Sequence, residues 1–335
     1  MSTIKIYADE MKSEFRRILI KFDFPESKAG ICSEVFMVNT LEGIASHGVN
    51  RFPRFIDNVK KGLVNPDAEP SVISGFNGME RWNGNLGPGP VNALFATERA
   101  MSLAGNNGIG LVAMQNTNHW MRGGTYGWSA ARKGFVFIGW TNTEANMPAW
   151  GASDFRLGNN PLVIGVPYGD EAIVLDFAMS QYSYGKLEVY KLAGKKLPYP
   201  GGFDTKGKLT DDPAEILLTR RALPVGYWKG SGLSLMLDIL AAALSGGLST
   251  SEITGRGAEF GLSQIFIAID PKCVSDGDSY VKSIENIISD LKKSVPAEPG
   301  EEPRYPGENI VNVRARNLRN GITVNKKVWD EIQAL

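Results

Sequence analysis

The chain has 335 residues, with Lys plus Arg equal to Asp plus Glu at 36 each, 43% hydrophobic residues, 38 glycines and only two histidines. That length predicts two or three packed lobes, and the mixture is that of a loop-rich globular enzyme, not of a disordered or fibrous chain. Balanced charge without a long basic block argues against a nucleic-acid binder; no stretch nears the ~20 apolar residues of a membrane span, and the charged N-terminal segment lacks a signal-peptide core and reads as cytoplasmic.

Residues 7 to 20 space Met11, Phe15, Ile18 and Leu19 at helical intervals, and Pro25-Glu26-Ser27 opens a second helix running to about Gly43. A third begins at Phe52 and carries Phe55, Ile56 and Val59. Residues 1–68 are therefore expected to form a helical lobe, closed by "KKGLVNPDAEP". From about residue 70 the texture changes. Short β-like runs, "PSVIS" and "MERWNG", precede a helix near 89 to 105, a buried strand in "GIGLVAMQN", a helix near 124 to 133 and the strand "FVFIGWTN". In "NPLVIGVPYGDEAIVLDFA" two strands flank a hairpin loop at Tyr168 to Glu171, which makes them antiparallel and rules out a purely parallel sheet. Residues 195 to 215 read as a long surface loop, "GSGLSLMLDILAAALSGG" as a largely buried helix, "SQIFIAID" as a strand and 279 to 294 as an amphipathic helix, before a small helical tail. The class is mixed α/β, with a catalytic core over residues 69–300 and a C-terminal tail over 301–335.

The two histidines mark the places where chemistry can be sought. His47, in "SHGVNRFPRF", sits on a bend, and an imidazole is the natural proton donor near neutral pH. With Gly48 as a helix C-cap, the helix end would favour the charged ring; a plain capping histidine fits the same residues. Arg51, four residues on, suits a bidentate grip on a carboxylate. His119, in "NTNHWMRGGTYG", follows a strand and precedes a helix, where ligands often bind; a structural hydrogen bond to a carbonyl is the alternative. Lys229 beside Gly230 and Gly232 could receive a phosphate at a helix start, or the glycines could serve close packing. "GRGAEFG" and "GNNGIG" are glycine-rich decoys that run into strands and not into a helix, and neither is a dinucleotide fingerprint. Two histidines, no HExxH and no CxxC give no metal site, no GxSxG elbow is present, and Cys32 and Cys273 read as reduced thiols.

Together "SHGVNRFPRF", "NHWMRGGTYGW", "NPLVIGVP", "SYGKLEV", "GYWKGSG", "SQIFIAI" and "RNGITV" resemble the type-2 malate/L-lactate dehydrogenase family over essentially the whole chain. The resemblance implies an α/β fold with a mixed sheet that binds NAD without a Rossmann motif, NADH before NADPH, and a tail packed back on the cofactor site and the N-terminal lobe. It places the family's proton donor on His47 and its cofactor contacts on Ala172, Ile173, Val174, Leu175, Asp176, Phe177 and Ala178, then Trp228 and Lys229, then Gly307, Glu308 and Asn309. It also implies a homodimer, and no nucleic-acid or membrane partner. Arg51 is the expected carboxylate contact, with His119 and Thr141 as further substrate contacts. The strings "NHWMRGG", "MPAWGA" and "LPVGYWKGSG" are most like those of members that reduce a 2-keto sugar acid. Family reductases of malate, lactate or a ureido or imino acid are the rival readings. A catalytically silent sugar-acid or nucleotide binder is another, against which His47, Arg51 and Lys229 together speak.

Overall fold

The computed structural model describes residues 2–335. The chain opens with β1 (Thr3–Ile6), α1 (Ala8–Lys21), α2 (Glu26–Leu41) and α3 (Phe52–Lys60). The apolar stripe of α1 is fully buried at Met11, Phe15, Ile18 and Leu19, and Phe15 stacks on Phe52 of α3 with ring centroids 4.3 Å apart. Burial of side chains this large contributes ~1.5–3 kcal/mol each, so the periodicity of the sequence becomes the core of a helical lobe.

The central region runs through β2 (Ser71–Phe76), β3 (Met79–Asn83), α4 (Gly89–Asn107), β4 (Ile109–Thr117), α5 (Gly124–Arg132), β5 (Val136–Thr141), β6 (Ala145–Pro148), β7 (Phe155–Gly158), β8 (Leu162–Tyr168) and β9 (Glu171–Phe177). It continues through α6 (Tyr184–Leu192), β10 (Gly202–Phe203), β11 (Leu209–Thr210), α7 (Pro213–Thr219), α8 (Trp228–Ser245), α9 (Thr250–Gly255) and β12 (Leu262–Ile269). The tail holds α10 (Gly277–Lys292), α11 (Glu308–Asn320), β13 (Ile322–Asn325) and α12 (Lys326–Gln333). Seven strands form the main sheet in the order β2-β3-β4-β12-β5-β8-β9, with β3–β4 parallel and the other pairings antiparallel. Helices α4 and α5 cover one face around Trp120, Tyr126 and Phe137; α8 lies on the other over Trp140, Ile265 and Met147. The sheet is therefore mixed and sandwiched. The expected hairpin is present, with Tyr168 paired to Glu171.

Three readings of the sequence are corrected. Residues 3–6 and 322–325 form an antiparallel pair, so the tail is not purely helical: β13 and α12 bring Ile322, Val324, Trp329 and Ile332 into the core of the N-terminal lobe. The supposed loop over 195–215 contains the β10–β11 hairpin and the start of α7, with buried Leu197 and Ile216 in a small core shared with Tyr182 and Leu187. The helix α8 is only half buried: Leu233, Leu235, Met236, Ile239, Leu240 and Leu244 are exposed. Periodicity could not reveal this, because both of its faces are apolar. Among the described residues no helix is long and apolar enough to cross a membrane.

Candidate active site

Helix α2 ends at Leu41, and the chain makes a single 3-10 turn over Ala45–His47 before α3. Gly48 closes that turn at φ −118 and ψ −123, not in the left-handed conformation of a glycine helix cap. Its necessity is steric: a Cβ there would lie 2.2 Å from Thr40 Oγ1 and 2.9 Å from the Phe36 carbonyl. The bend is pinned to α2 by Asn39, whose amide donates to the His47 carbonyl at 2.9 Å, and by Thr40, whose hydroxyl accepts from Val49 N–H at 2.9 Å. The Ser46 hydroxyl lies 3.0 Å from His47 Nδ1, which leaves Nε2 as the nitrogen without a protein partner among the described residues.

The loop between β4 and α5 brings His119 against this bend. The two imidazoles are nearly parallel, with centroids 5.8 Å apart and planes 23° from one another. His119 Nδ1 accepts from Met121 N–H at 3.0 Å, so its proton resides on Nε2. Met121 itself has φ +67, a left-handed strain held next to the functional loop. Arg51, at the start of α3, faces Glu259 with Nη2 to Oε1 at 3.6 Å. A narrow cleft is lined by Arg51, Asn58, Asn118, His119 and Glu259, with Phe55, Val64 and Met121 as apolar walls. Two expected substrate contacts, Arg51 and His119, thus share one cleft, and the field of Arg51 reaches both histidines. Thr141 is placed differently. It ends β5 in the core, and its hydroxyl is directed to the Asn142 carbonyl at 2.9 Å.

Charge at His47 departs from the sequence reading. Burial, reinforced by the positive fields of Arg51 and Arg122, lowers its pKa to about 4. The helix end that was expected to favour an imidazolium is Leu41, six residues earlier. His119 is likewise held neutral, by burial first and then by Arg51, His47 and Arg54. Glu259 is pushed in the opposite direction, its pKa raised by burial against the opposing pull of Arg51.

A buried ionic network ties the cleft to the outer strand of the sheet. Glu42, at the end of α2, is shared between Arg122 from the His119 loop and Arg314 from α11. Arg122 Nε also lies 3.8 Å from Asp176 on β9, and Asp176 Oδ2 accepts from Gly124 N–H at 2.8 Å. Thr125 completes the link by donating to Asn39 Oδ1 at 2.8 Å, so His47 and β9 are connected through a few short hydrogen bonds.

Strand β9 is an edge strand, and within it the backbone groups of alternate residues point away from β8. Val174 is one of the outward set: its N–H donates to the Pro306 carbonyl at 3.2 Å, which by alternation makes Asp176 another. Beyond β9, Met179 and Val225 are joined by a backbone bond of 2.8 Å, so the strand leads directly to the first turn of α8 at Trp228 and Lys229. That turn has no side-chain cap; Tyr227 before it has φ +60, and Lys229 is exposed, its own N–H donating to the Gly226 carbonyl at 3.3 Å. On the other side Gly307, at φ +88, packs on Val174 so closely that a Cβ would lie 3.2 Å from Val174 N and 3.3 Å from its carbonyl oxygen. Glu308 and Asn309 follow in the first turn of α11, with Glu308 paired to Lys292 and Asn309 exposed. The three segments singled out for the cofactor therefore lie along one edge. Seven residues of β9 span roughly 20 Å at ~3.3 Å each, the length of an extended dinucleotide, and the exposed Lys229 stands at the α8 end of that edge.

Sequence reasoning missed Glu42 and Glu259. Neither stands in a motif: Glu42 ends an apolar helix, and Glu259 lies in the glycine-rich "GRGAEFG", which had been set aside for having the wrong order for a phosphate loop. Arg122, in the same loop as His119, is committed to Glu42 and Asp176.

The profile of the malate/L-lactate dehydrogenase family matches residues 6–333. The chain is 45% identical over 333 residues, 99% of its own length and 100% of the relative's, to the 2,3-diketo-L-gulonate reductase of Escherichia coli O6:K15:H31 (strain 536 / UPEC). Among solved structures it is similar to the malate dehydrogenase of Entamoeba histolytica, with a TM-score of 0.94, 28% identity and coverage of 99% and 97% of the two chains. It is also similar to the sulfolactate dehydrogenase of Methanocaldococcus jannaschii, with a TM-score of 0.88, 29% identity and coverage of 98% and 95%.

Proposed function

The chain belongs to the malate/L-lactate dehydrogenase family, and from that premise we propose that it reduces a 2-keto sugar acid, 2,3-diketo-L-gulonate, to 3-dehydro-L-gulonate with NADH. The enzyme class, a nicotinamide-dependent oxidoreductase of hydroxy and keto acids, follows from the family; the choice of substrate rests on the 45% full-length identity to a reductase of that name. That identity is the observation that carries the reading.

Arg51 takes the substrate carboxylate through the donors it does not turn to Glu259. This places the adjacent C2 carbonyl beneath the two imidazoles, with His119 Nε2–H as a hydrogen-bond donor to its oxygen. When bound, the nicotinamide supplies the hydride that goes to C2. His47 gives the proton to the oxygen as negative charge develops there, a step typically worth ~10²- to 10⁴-fold. The depressed pKa of His47 fits this order of events. With a pKa of about 4, lowered first by burial and then by Arg51 and Arg122, the resting ring is neutral at pH 7, and a carboxylate arriving on Arg51 offsets the second of these causes. Protonation of His47 is thereby coupled to the arrival of an anionic substrate, and Ser46 fixes which nitrogen faces it.

Along β9 the outward backbone groups at Asp176 and the Gly307 cradle support the extended cofactor, and the exposed Lys229 ammonium at the start of α8 supports its phosphates. Lys229→Ala is expected to weaken NADH binding ~10-fold or more, since a charge-assisted hydrogen bond is worth ~1.5–3 kcal/mol. Titration by nicotinamide fluorescence checks this, and an unchanged affinity would remove the α8 turn from the cofactor site.

The exposed apolar row of α8 supports a homodimer. Leu233, Met236, Leu240 and Leu244 recur at three- and four-residue steps and are 37–50% exposed, more contiguous apolar surface than a monomer ordinarily leaves in water. Because the same helix begins at Trp228 and Lys229, a second copy on this face would lie beside the cofactor end of the site. Sedimentation at micromolar concentration is expected to give twice the 36.5 kDa chain mass; a monomer there would contradict the assignment.

The reaction itself is tested by incubating the protein with 2,3-diketo-L-gulonate and NADH deuterated at the transferable position. The proposal requires deuterium at C2 of a 3-dehydro-L-gulonate product by NMR. Label at C3, or none, would overturn it.

A further inference from the structure

We propose that Glu259 determines substrate specificity in the cleft: its carboxylate accepts hydrogen bonds from the hydroxylated tail of a keto sugar monoacid and repels the second carboxylate of a keto diacid. The inference deepens the reading above, on which it rests.

Glu259 lies between α9 and β12 and lines the same cleft as Arg51 and His119, with only 9% of its side chain exposed. Its existing contacts are weak for so enclosed a carboxylate. Oε1 is 3.6 Å from Arg51 Nη2, beyond ordinary hydrogen-bond length, and Oε2 accepts one long bond of 3.4 Å from Glu144 N–H. An ionised carboxylate offers about four acceptor sites, so most of its capacity faces the cleft unspent. A group in that condition gains from a ligand hydroxyl, which supplies the missing donor.

Three other polar groups near the cleft are already engaged. The Asn118 amide nitrogen donates to the carbonyls of Leu63, Leu86 and Gly87 at 2.8–3.1 Å. Thr141 and Arg122 are committed as described above. Recognition of hydroxyls therefore falls on Glu259, with Asn58 as the other polar side chain of the lining.

The charge balance points the same way. Arg51 and Arg54 put positive fields on Glu259, whereas Glu144, itself paired with Arg220 at 3.1 Å, adds a negative one. One substrate carboxylate on Arg51 is compensated. A second one, at the far end of a short keto diacid, would meet the Glu259 carboxylate, with Arg54 contributing only a smaller field there than Arg51 and Glu144. Like charges so placed in a partly desolvated cleft repel strongly.

The test compares wild type, Glu259→Gln and Glu259→Asp in two measurements. In the first, kcat/KM is determined for 2,3-diketo-L-gulonate and for oxaloacetate. Glu259→Gln is expected to raise oxaloacetate at least ~10-fold and to lower the diketo acid about 10-fold, mainly through KM, because a charge-assisted acceptor becomes a neutral one. Glu259→Asp keeps the charge but retracts it by one methylene, so it should weaken the diketo acid and still reject oxaloacetate. In the second, L-threonate and malonate, a hydroxylated monoacid and a diacid, are titrated into the enzyme–NADH complex by calorimetry. Wild type should favour threonate at least ~10-fold, and Glu259→Gln should erase that preference. Equal shifts for both substrate classes in Glu259→Gln, or a wild type that binds malonate as tightly as threonate, would reduce Glu259 to a counter-ion for Arg51. The threonate-to-malonate ratio does not require turnover of the diketo acid. An enzyme inert toward that acid but retaining the Glu259-dependent ratio would thus overturn the substrate reading and sustain this inference. Melting temperatures and NADH affinities of both variants show whether the cleft remains folded; for a variant that unfolds, the wild-type ratio alone decides.

Discussion

His47→Asn lowers kcat for keto-acid reduction by at least ~100-fold while NADH affinity stays within about twofold of wild type, because the substitution removes the proton donor and leaves the cofactor edge at β9 untouched. The pH profile sharpens the expectation. His47 has a folded pKa of about 4 against the ordinary 6.5, so in the free enzyme the protonated form required for reduction is abundant only below about pH 4 and declines as pH rises. Reduction measured as kcat/KM should therefore decrease with increasing pH across the neutral range. For kcat, the group titrates in the substrate complex, where the carboxylate on Arg51 offsets part of the positive field and moves the inflection upward. The asparagine variant should lose this limb. A folded variant with near-normal turnover, or one that keeps the limb, would remove His47 from the proton step and leave it as a pinned bend residue.

Glu42→Ala is expected to cost about 3–5 kcal/mol of stability, the largest effect of any single change away from the reacting groups. The side chains of Arg122 and Arg314 are only 7% and 17% exposed, and removal of Glu42 leaves them with only the longer contacts to Asp176 at 3.8 Å and Glu171 at 3.7 Å. The penalty comes from breaking the set, since a fully apolar replacement of such networks is often neutral. Because the same residues join α2, the His119 loop, β9 and α11, loss of Glu42 should also weaken NADH binding in the fraction that stays folded. Denaturant unfolding checks the energy, and a change below about 1 kcal/mol would mean that solvent reaches these arginines readily.

Local pattern made the N-terminal helices and the β8–β9 hairpin legible. Met11, Phe15, Ile18 and Leu19 can be spaced at helical intervals only if one face is to be buried, and all four are. What depended on distant partners was hidden. Thr3 pairs with Asn325 across nearly the entire chain, and no local window contains that information. In the excursion after α6, glycines and prolines suggested a structureless loop, while Leu197 and Ile216 were too sparse to announce a core of their own. The site divided in the same way. His47, Arg51 and His119 stood out by residue type and motif, and the fold brings them to one place. The charge state of His47 did not, because it is set by burial and by Arg122, a residue 75 positions away. Glu259 carried no signal except its place in a glycine-rich segment that matched no phosphate loop.

The central claim is that this cleft reduces a hydroxylated 2-keto monoacid, and kcat/KM with NADH for 2,3-diketo-L-gulonate, oxaloacetate and pyruvate in turn tests it most directly. A pocket built to bond hydroxyls discriminates against substrates that lack them by as much as ~10⁴, since its polar groups are then left unpaired. The diketo acid is expected to lead both others by at least ~100-fold. Faster specific reduction of oxaloacetate or pyruvate would contradict it and move the chain to the malate or lactate branch of its family.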